Sequence, residues 1–375
     1  MSTSTRAAVL VESGRPAPYA DSRPLEVVPL TLDPPGPGEL LIRVRAAGLC
    51  HSDLSVINGS RLRPLPMALG HEAAGEVVAV GEGTEFAPGD HVVLAFVPAC
   101  GHCAPCSGGR PALCEPGAAA NGSGTLLGGG LRFSDASGGR PWHHLGVSAF
   151  SEYTVVSARS AVKVDPELPP EIAALFGCAV LTGAGAAFYS ARVAPGDSVA
   201  VFGLGGVGLA ALLAAKAAGA ATLVAIDVVE SKLELARELG ATHTVAGGPD
   251  AVEAIREITR GGAEKVVDTT GVVPVLEQAY RATARGGTTV TVGLPDPSRE
   301  LVLPALSLVA EERTLKGSYL GSCVPRRDVP RFVEMYRAGI LPVDALLSHR
   351  LTLEEVNEGF DRLHTGEAVR QVIVF

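Results

Sequence analysis

The stretch SVAVFGLGGVG at positions 198–208 decides the fold class of this chain. Its first half is a short continuous apolar run, which is typical of a strand buried in a parallel sheet. Its second half fits the pattern G-x-G-x-x-G, and Ala and Leu follow at helical density up to position 219. A glycine-rich turn between a buried strand and a helix predicts a dinucleotide site with the pyrophosphate at the helix N-terminus.

The positions of the glycine motif have distinct physical roles in such a turn. Gly203 allows the tight turn, Gly205 lets the backbone approach a pyrophosphate, and Gly208 lets the helix pack on the strand. Gly206 and Val207 complete the motif at the start of the helix. We therefore count all five positions among the candidate cofactor-binding residues.

An acidic residue follows the motif at the distance that a dinucleotide site requires. Asp227 ends the next apolar run, 222–226. A carboxylate there accepts hydrogen bonds from the adenosine ribose hydroxyls and repels a 2′-phosphate, which predicts NAD rather than NADP. Lys232 lies five residues further on and could reach the same ribose. The alternative is an ordinary glycine-rich turn followed by a surface aspartate.

The pattern around this motif predicts two domains of different secondary-structure content. Apolar runs at 265–267 and 288–292 alternate with helical segments, so the middle of the chain is expected to form a doubly wound parallel sheet. Before position 180, short runs at 40–47, 75–80 and 91–95 are separated by Gly and Pro turns, which indicates a β-rich domain. Residues 116–142 are rich in Gly, Ala and Ser and are expected to form a surface loop.

Composition excludes several classes of function. The 375 residues are enough for two cores, and 47% hydrophobic with 19% charged residues indicates a soluble globular protein. A net charge of −9 disfavours nucleic acid or an anionic membrane as a partner. No signal peptide or membrane span is evident, which predicts a cytoplasmic protein. In that reducing compartment, seven cysteines point to metal binding or catalysis.

Two groups of residues could bind metal. Four cysteines with the spacing C-x2-C-x2-C-x7-C suit a closed tetrahedral zinc site, although an iron–sulfur cluster is the alternative occupant; they are Cys100, Cys103, Cys106 and Cys114. A second, scattered set comprises Cys50, His71 and Cys178. Two cysteines and one histidine leave a fourth position open, as catalytic zinc requires. Taken singly, each of these three would be a buried thiol or a loop histidine.

These motifs together resemble those of the zinc-dependent medium-chain alcohol dehydrogenases, including their class III-like branch. The resemblance rests on GHE at 70–72, the four-cysteine lobe, GLGGVG at 203–208 and EGF-x3-H-x-G-E-x2-R at 358–370. It implies a GroES-like catalytic domain made of residues 1–179 and 322–375, with a structural zinc lobe at 97–115. It also implies a Rossmann NAD-binding domain inserted at 180–321. The cofactors would be two zinc ions per chain and NAD.

The resemblance assigns roles around the catalytic zinc, which Cys50, His71 and Cys178 would hold. Glu72 would lie close behind the ion, and Asp53 would orient the ligand histidine. Ser52 would bond the substrate oxygen and begin a proton relay. The reaction implied is reversible hydride transfer between a small-molecule primary alcohol or aldehyde and NAD.

The resemblance also assigns residues to the cofactor. His51, which we also place among the catalytic residues, and Arg370 would contact the pyrophosphate. Thr182 and Val207 would line the nicotinamide pocket. The long 115–142 segment resembles members that form homodimers, and the run 288–292 is expected to be an apolar edge strand that could pair across the two-fold axis.

Some features depart from the family pattern or leave alternatives open. Many members have a histidine at the position of Ser55, so the end of the proton relay is undetermined. Arg61 is either a solvent-facing residue or a guide for a polar substrate. Four residues are candidates for an apolar substrate pocket or for plain core: Phe96, Trp142, Leu145 and Leu320. The alternative functions are a thiol-dependent formaldehyde dehydrogenase and, from another class, a non-catalytic zinc- and nucleotide-binding protein.

Overall fold

The computed structural model describes residues 2–375 of the chain. Contacts divide it into two compact units. The first, here called the catalytic unit, contains residues 2–178, 324–333 and 347–375. The second, here called the nucleotide unit, contains residues 179–323 and 334–346. The domain limits that the sequence suggested, with a single insertion at 180–321, stay a prediction.

The nucleotide unit is built on a six-stranded sheet in which all neighbouring strands are parallel. From one edge to the other, the strands are His243–Ala246, Thr222–Asp227, Ser198–Phe202, Ala263–Asp268, Thr283–Thr291 and Thr314–Gly317. Numbered along the chain, this order is 3-2-1-4-5-6, that of a doubly wound dinucleotide-binding sheet. The first strand in sequence therefore lies in the middle of the sheet.

Helices connect successive strands of this sheet, as crossovers between parallel strands require, and further helical segments precede and follow it in the chain. In chain order they are Ala179–Gly185, which continues into a wider turn at Ala186–Ala191, then Gly206–Ala217, Glu230–Leu239, Ala251–Ile258, Val273–Ala282 and Ala305–Ala310, with short 3₁₀ turns at Leu320–Ser322 and Val343–Leu346. Helix Gly206–Ala217 is buried along most of its length because Ala and Leu occupy nearly every face. A core of side chains such as Phe202, Ile226 and Val266 lies between sheet and helices.

The catalytic unit contains two mainly antiparallel sheets. The five-stranded sheet has the order Phe133–Ser134, Leu25–Leu32, Thr3–Leu10, Met67–Ala68, Trp142–His143. The other sheet has the order Ala161–Lys163, His91–Leu94, Glu72–Val80, Glu39–Gly48, Arg370–Val374, Leu347–Leu351, and Tyr153–Ser157 also pairs with Glu39–Gly48. The C-terminal strand pairs with Glu39–Gly48, so both ends of the chain contribute to one core.

Helices in this unit are short and stand at strand ends. They are Tyr19–Ser22, His51–Ile57, Ala104–Ser107, Glu115–Ser123, Pro170–Leu175 and Val356–His364, with 3₁₀ turns at Pro111–Leu113, Ala158–Ser160 and Leu353–Glu355. Helix Pro325–Arg337 has residues in both units. Within residues 2–375, no helix combines the length and apolar character needed to cross a membrane.

Two expectations about secondary structure were wrong. The segment 116–142 is not simply a surface loop, because helix Glu115–Ser123 and strands Phe133–Ser134 and Trp142–His143 lie in or overlap it. The helix begins where Cys114 Sγ accepts a hydrogen bond from the Gly117 backbone N–H. The strand expected at 288–292 is not an edge strand, since Thr283–Thr291 pairs on both sides and Thr314–Gly317 forms the edge.

Candidate active site and metal centres

Three elements of the catalytic unit bring Cys50, His71 and Cys178 together. Cys50 precedes helix His51–Ile57, directly after strand Glu39–Gly48. His71 lies immediately before strand Glu72–Val80. Cys178 follows helix Pro170–Leu175. The two Sγ atoms and one imidazole nitrogen lie within 4.8 Å of one another, and all three side chains are buried.

This arrangement fits a zinc ion. Zinc–sulfur bonds of about 2.3 Å and zinc–nitrogen bonds of about 2.0–2.1 Å place tetrahedral ligand atoms less than about 4 Å apart. The three ligand atoms all lie within 4.8 Å of one another, which is compatible with binding to one ion. Three protein ligands leave one vertex for a substrate oxygen.

The protonation of the three side chains is coupled. A hydrogen bond from Cys178 and the proximity of His71 hold the pKa of Cys50 well below its usual value. The same hydrogen bond, with burial, raises the pKa of Cys178 well above its usual value. Burial disfavours imidazolium, yet Asp53 and Cys50 raise the pKa of His71. The pocket thus holds one thiolate readily, and zinc binding displaces the remaining protons because thiolate and neutral imidazole are the ligand forms.

Asp53 lies within hydrogen-bonding distance of His71, and a second histidine, His144, also approaches it. Asp53 Oδ1 is 3.1 Å from His71 Nδ1 and 3.0 Å from His144 Nδ1. Burial raises the pKa of Asp53, but the two imidazoles outweigh it and the net shift is downward. Sequence reasoning missed His144. Only its position in the pair His143–His144 marked it, and nothing in the sequence placed it near Asp53.

A buried ion pair lies beside the same site. Arg370 Nη1 is 3.5 Å from Glu72 Oε2 and donates a hydrogen bond of 2.8 Å to the Leu49 carbonyl. Burial opposes the charge of Arg370, but Glu72 and the two nearby thiols raise its pKa. Gly48 leaves room for this pair, because a Cβ there would overlap the Glu72 carboxylate. A paired charge of this kind keeps Glu72 fixed near Cys50 and Cys178.

The four cysteines of the lobe also converge. Their Sγ atoms all lie within 4.8 Å of one another, and Cys103 Sγ is 3.9 Å from Cys114 Sγ. Four thiolates at about 2.3 Å from one tetrahedral ion would be about 3.8 Å apart. Backbone N–H groups donate to two of the sulfurs, from Cys103 to Cys100 and from Cys100 to Cys114. The spacing suits one zinc ion and leaves no room for the inorganic sulfides of a cluster.

The remaining candidates near the first metal site lie on helix His51–Ile57 and its flanks. His51 is exposed and Ser52 is half-buried in the first turn. Ser55 Oγ donates to the His51 carbonyl at 2.8 Å, so this hydroxyl is used within the helix. Arg61 is half-buried, and its backbone N–H bonds the Ser55 carbonyl.

The candidates for an apolar pocket separate in the structure. Phe96 stands edge-on to His71, with ring centroids 5.5 Å apart, so it borders the metal site. Trp142 packs against the main core of the catalytic unit. Leu145 is buried in that unit, and Leu320 is buried in the nucleotide unit. Phe96 is therefore the strongest of the four as a substrate contact.

The glycine motif forms the predicted turn in the nucleotide unit. Gly203 has φ +84°, and a Cβ on Gly208 would overlap the Gly203 carbonyl oxygen. Gly205 precedes helix Gly206–Ala217 and faces open space. Asp227 Oδ2 accepts a hydrogen bond of 2.7 Å from the Leu204 N–H. This places a carboxylate directly against the phosphate-binding turn.

The remaining cofactor candidates also lie on helices of this unit. Thr182 is buried in helix Ala179–Gly185, and Val207 is half-buried in the first turn of Gly206–Ala217. Lys232 is largely buried in helix Glu230–Leu239. These positions are compatible with the expected contacts, which stay predictions.

Comparison with known proteins identifies the family. Residues 36–166 match the model of the alcohol dehydrogenase GroES-like domain, and residues 206–338 match that of the zinc-binding dehydrogenases. The chain is 41% identical to an NDMA-dependent alcohol dehydrogenase of Amycolatopsis methanolica, over 99% of this chain and 98% of that one. It is 36% identical to an S-(hydroxymethyl)glutathione dehydrogenase of Paracoccus denitrificans, over 99% and 100%.

A solved structure agrees with both sequence relatives. The fold matches benzyl alcohol dehydrogenase of Acinetobacter calcoaceticus with a TM-score of 0.90 and 34% identity, over 100% of this chain and 99% of that one. The predicted fold class and reaction class are thereby confirmed. The chain therefore belongs to the zinc-dependent medium-chain alcohol dehydrogenases.

Proposed function

We propose that Cys50, His71 and Cys178 hold the catalytic zinc of an enzyme that interconverts primary alcohols and aldehydes with NAD. The observation that carries this proposal is the convergence of two thiols and one imidazole, from three separate parts of the chain, to within 4.8 Å in a buried pocket. A purely structural zinc would need a fourth protein ligand. The four-cysteine lobe would hold a second zinc that stabilises its own fold.

When bound, zinc supplies Lewis acidity toward a substrate oxygen and the nicotinamide accepts the hydride. The residues of the chain provide the setting for that step. Asp53 keeps the proton of His71 on Nδ1, which leaves Nε2 free to bind metal. Ser52, half-buried in the first turn of helix His51–Ile57, would take the alcohol proton and pass it outward.

Other residues position the cofactor in this proposal. The turn Gly203–Gly208 and the start of helix Gly206–Ala217 present backbone N–H groups to the pyrophosphate. Asp227 would bond the adenosine ribose, with Lys232 beside it. By the family resemblance, His51 and Arg370 would contact the pyrophosphate, while Thr182 and Val207 would line the nicotinamide. Asp227 also makes NAD the preferred nucleotide.

We propose an apolar alcohol as the substrate, because Phe96 borders the metal site and a relative of known structure acts on benzyl alcohol. A thiol adduct of formaldehyde is the second candidate, favoured by the likeness to an S-(hydroxymethyl)glutathione dehydrogenase. The loop 54–64 argues against it, since its charged residues, Arg61 and Arg63, are both basic. Dependence on NDMA, named for another relative, is a further property to test.

We also propose that the enzyme is a cytoplasmic homodimer. All seven cysteines are free thiols, which suits a reducing compartment. Strand Thr314–Gly317 has one unpaired side, and the apolar side chains of Val302, Leu306 and Val309 before it are exposed. A second copy of the chain could pair along that strand and cover these side chains.

The decisive experiment combines metal analysis with turnover. We expect about two zinc ions per chain, and loss of one zinc together with turnover in Cys50→Ala. Cys323→Ala is the matched control, because Cys323 is equally buried but belongs to neither metal group. Activity in Cys50→Ala equal to that of the control would overturn the assignment.

A substrate panel then separates the candidate activities. Benzyl and aliphatic primary alcohols are assayed with NAD, with NADP and with NDMA as acceptor. Formaldehyde is assayed with and without glutathione. Turnover of formaldehyde that requires the thiol and exceeds that of every free alcohol would select the second candidate.

A further inference from the structure

His144 is brought to the metal site by pairing between two short parallel strands. Strand Trp142–His143 pairs with Met67–Ala68, so the residues after each strand run side by side. Two hydrogen bonds of 3.0 Å continue the link, from Ala149 N to the Gly70 carbonyl and from Phe150 N to the Leu69 carbonyl. The turn that contains His144 is thereby fastened to the residue before His71.

The turn itself is held firmly. The backbone N–H of His144 donates to Ser148 Oγ at 2.8 Å, and the His144 carbonyl accepts from Val147 N and Ser148 N at 3.0 and 3.2 Å. Leu145 and Ser148 have φ of +51° and +50°, in the left-handed region that such residues seldom adopt. Backbone conformations of this kind persist where the surrounding structure determines them.

The Asp53 carboxylate lies within hydrogen-bonding distance of two imidazoles. Asp53, His71 and His144 are 0%, 1% and 2% exposed, so water does not satisfy them. Oδ1 lies 3.1 Å from His71 Nδ1, 3.0 Å from His144 Nδ1 and 3.2 Å from the Gly70 backbone N–H. The contact from His71 Nδ1 meets the criteria of a hydrogen bond, whereas His144 Nδ1 is close enough but makes no hydrogen bond among residues 2–375.

The second carboxylate oxygen of Asp53 is a possible hydrogen-bond acceptor for His144. Asp53 Oδ2 is buried and has no hydrogen-bond partner among residues 2–375. A buried carboxylate is stable as an anion only if donors reach it. A rotation of the Asp53 side chain that brought Oδ2 toward His144 Nδ1 would give each imidazole its own oxygen. The carboxylate would then be held from two directions.

We propose that His144 is a positioning residue of the catalytic zinc site, which acts by holding the Asp53 carboxylate in the orientation that fixes the ring of His71. The inference rests on the proposed function, because it takes His71 to be a zinc ligand. His144 itself touches neither substrate nor ion in this scheme. Loss of its donor would let Asp53 turn and would loosen the bond between His71 and zinc.

The test uses variants that separate the donor from the volume of the ring. In His144→Asn, the amide nitrogen can occupy the place of Nδ1, so the donor to Asp53 is retained. In His144→Leu, the donor is lost and most of the volume stays. Release of catalytic zinc to a chelator should be about 10–100-fold faster in His144→Leu, and close to wild type in His144→Asn. The absorption bands of the cobalt-substituted enzyme should follow the same division.

A double-mutant cycle with Asp53→Ala tests whether His144 acts through Asp53. If it does, His144→Leu has no further effect on zinc release once Asp53 is removed. Equal effects in both backgrounds, or equal release from the Asn and Leu variants, would overturn the proposal and leave a packing role. If His144→Leu does not fold, His144→Gln replaces it, since its amide lies one bond too far out. Wild-type enzyme with only one zinc would instead refute the proposed function.

Discussion

At the scale of single residues, the proposed role of Asp227 in the choice of nucleotide can be tested directly. Its carboxylate is fixed by two backbone N–H groups, Leu204 at 2.7 Å and Val229 at 3.0 Å. Because the charge cannot swing away from the turn, a 2′-phosphate there would meet an immobile anion. Asp227→Gly should therefore raise the affinity for NADPH relative to NADH by about tenfold, or about 1.4 kcal/mol. Fluorescence titration with both reduced nucleotides measures this ratio.

Val228 provides the control for that substitution. Its side chain is exposed and lies next to Asp227 in the chain. Val228→Ala should keep the wild-type ratio of the two affinities. If Asp227→Gly also keeps it, then the carboxylate does not face the ribose and NADP must be excluded elsewhere.

His143 makes folding sensitive to acid. Burial, with Arg132 and Arg140 nearby, lowers the pKa of this imidazole to about 3. An unfolded histidine titrates near 6.5, so between pH 6.5 and 3 the unfolded chain binds one more proton than the folded chain. The contribution of the neutral His143 to the free energy of unfolding is therefore fully present above pH 6.5 and is lost as the pH falls below that value. From pH 6.5 to 5.0 the loss is about 2 kcal/mol.

His143→Gln should reduce this acid sensitivity. The Gln oxygen can replace Nε2, which accepts a hydrogen bond from the Arg132 N–H at 3.2 Å. Urea unfolding at pH 7.0 and 5.0, with zinc in excess, should show a loss about 2 kcal/mol smaller than in wild type. His243→Gln, at an exposed position, should retain the wild-type slope. An unchanged slope in His143→Gln would mean that His143 does not stay neutral in the folded protein.

Residue types alone were sufficient to nominate much of the site. The spacing of the lobe cysteines and of the glycine motif is local, so a single stretch of sequence carries each signal. Cys50, His71 and Cys178 are far apart in the chain, and only the resemblance joined them before the fold was known. His144 had no signal, because its approach to Asp53 depends on pairing between two strands of two residues each.

At the scale of single elements, the close packing of helix Gly206–Ala217 on the turn before it requires a residue without a Cβ at position 208. A Cβ on Gly208 would overlap the Gly203 carbonyl, whereas a Cβ on Gly205 would meet nothing within 4 Å. Gly208→Ala should therefore lower the free energy of unfolding by about 1–3 kcal/mol through overpacking. Urea unfolding monitored by circular dichroism measures that loss.

Gly205→Ala is the matched comparison for the same helix. Gly205 has φ −73° and an extended ψ, which alanine adopts without strain. Stability should stay within about 0.5 kcal/mol of wild type. The affinity for NADH should nevertheless fall, because the new methyl group stands where the pyrophosphate approaches. Equal stability losses in the two variants would contradict this division of roles.

Sequence patterns located buried strands well and polar helices poorly. Ser198–Phe202 is the strand expected from its apolar run, and Thr222–Asp227 extends the expected one by a residue. Helix Glu115–Ser123 was missed because Gly, Ala and Asn give it no apolar face, and its start depends on the sulfur of Cys114. The 288–292 run was wrongly expected at an edge, because the strand outside it, Thr314–Gly317, is short, has only half-buried or exposed residues and was not predicted.

At the scale of the whole molecule, the exposed apolar side chains before strand Thr314–Gly317 are the feature that a single chain does not explain. Leu306 and Val309 are 78% and 80% exposed on the short helix Ala305–Ala310. Full burial of one such side chain is worth about 1.5–3 kcal/mol. In a two-fold dimer every substitution acts twice, because the same surface occurs on both protomers.

If the proposed homodimer forms through this surface, Leu306→Lys combined with Val309→Lys should convert it to monomer at micromolar concentration. Four apolar side chains are removed from the interface, which should raise the dissociation constant by about 10²-fold or more. Sedimentation velocity measures the change. Leu62→Lys is the control, because Leu62 is 83% exposed but lies in the catalytic unit. A double variant that sediments as the wild type would show that the second copy pairs elsewhere, and a Leu62→Lys monomer would move the interface to that loop.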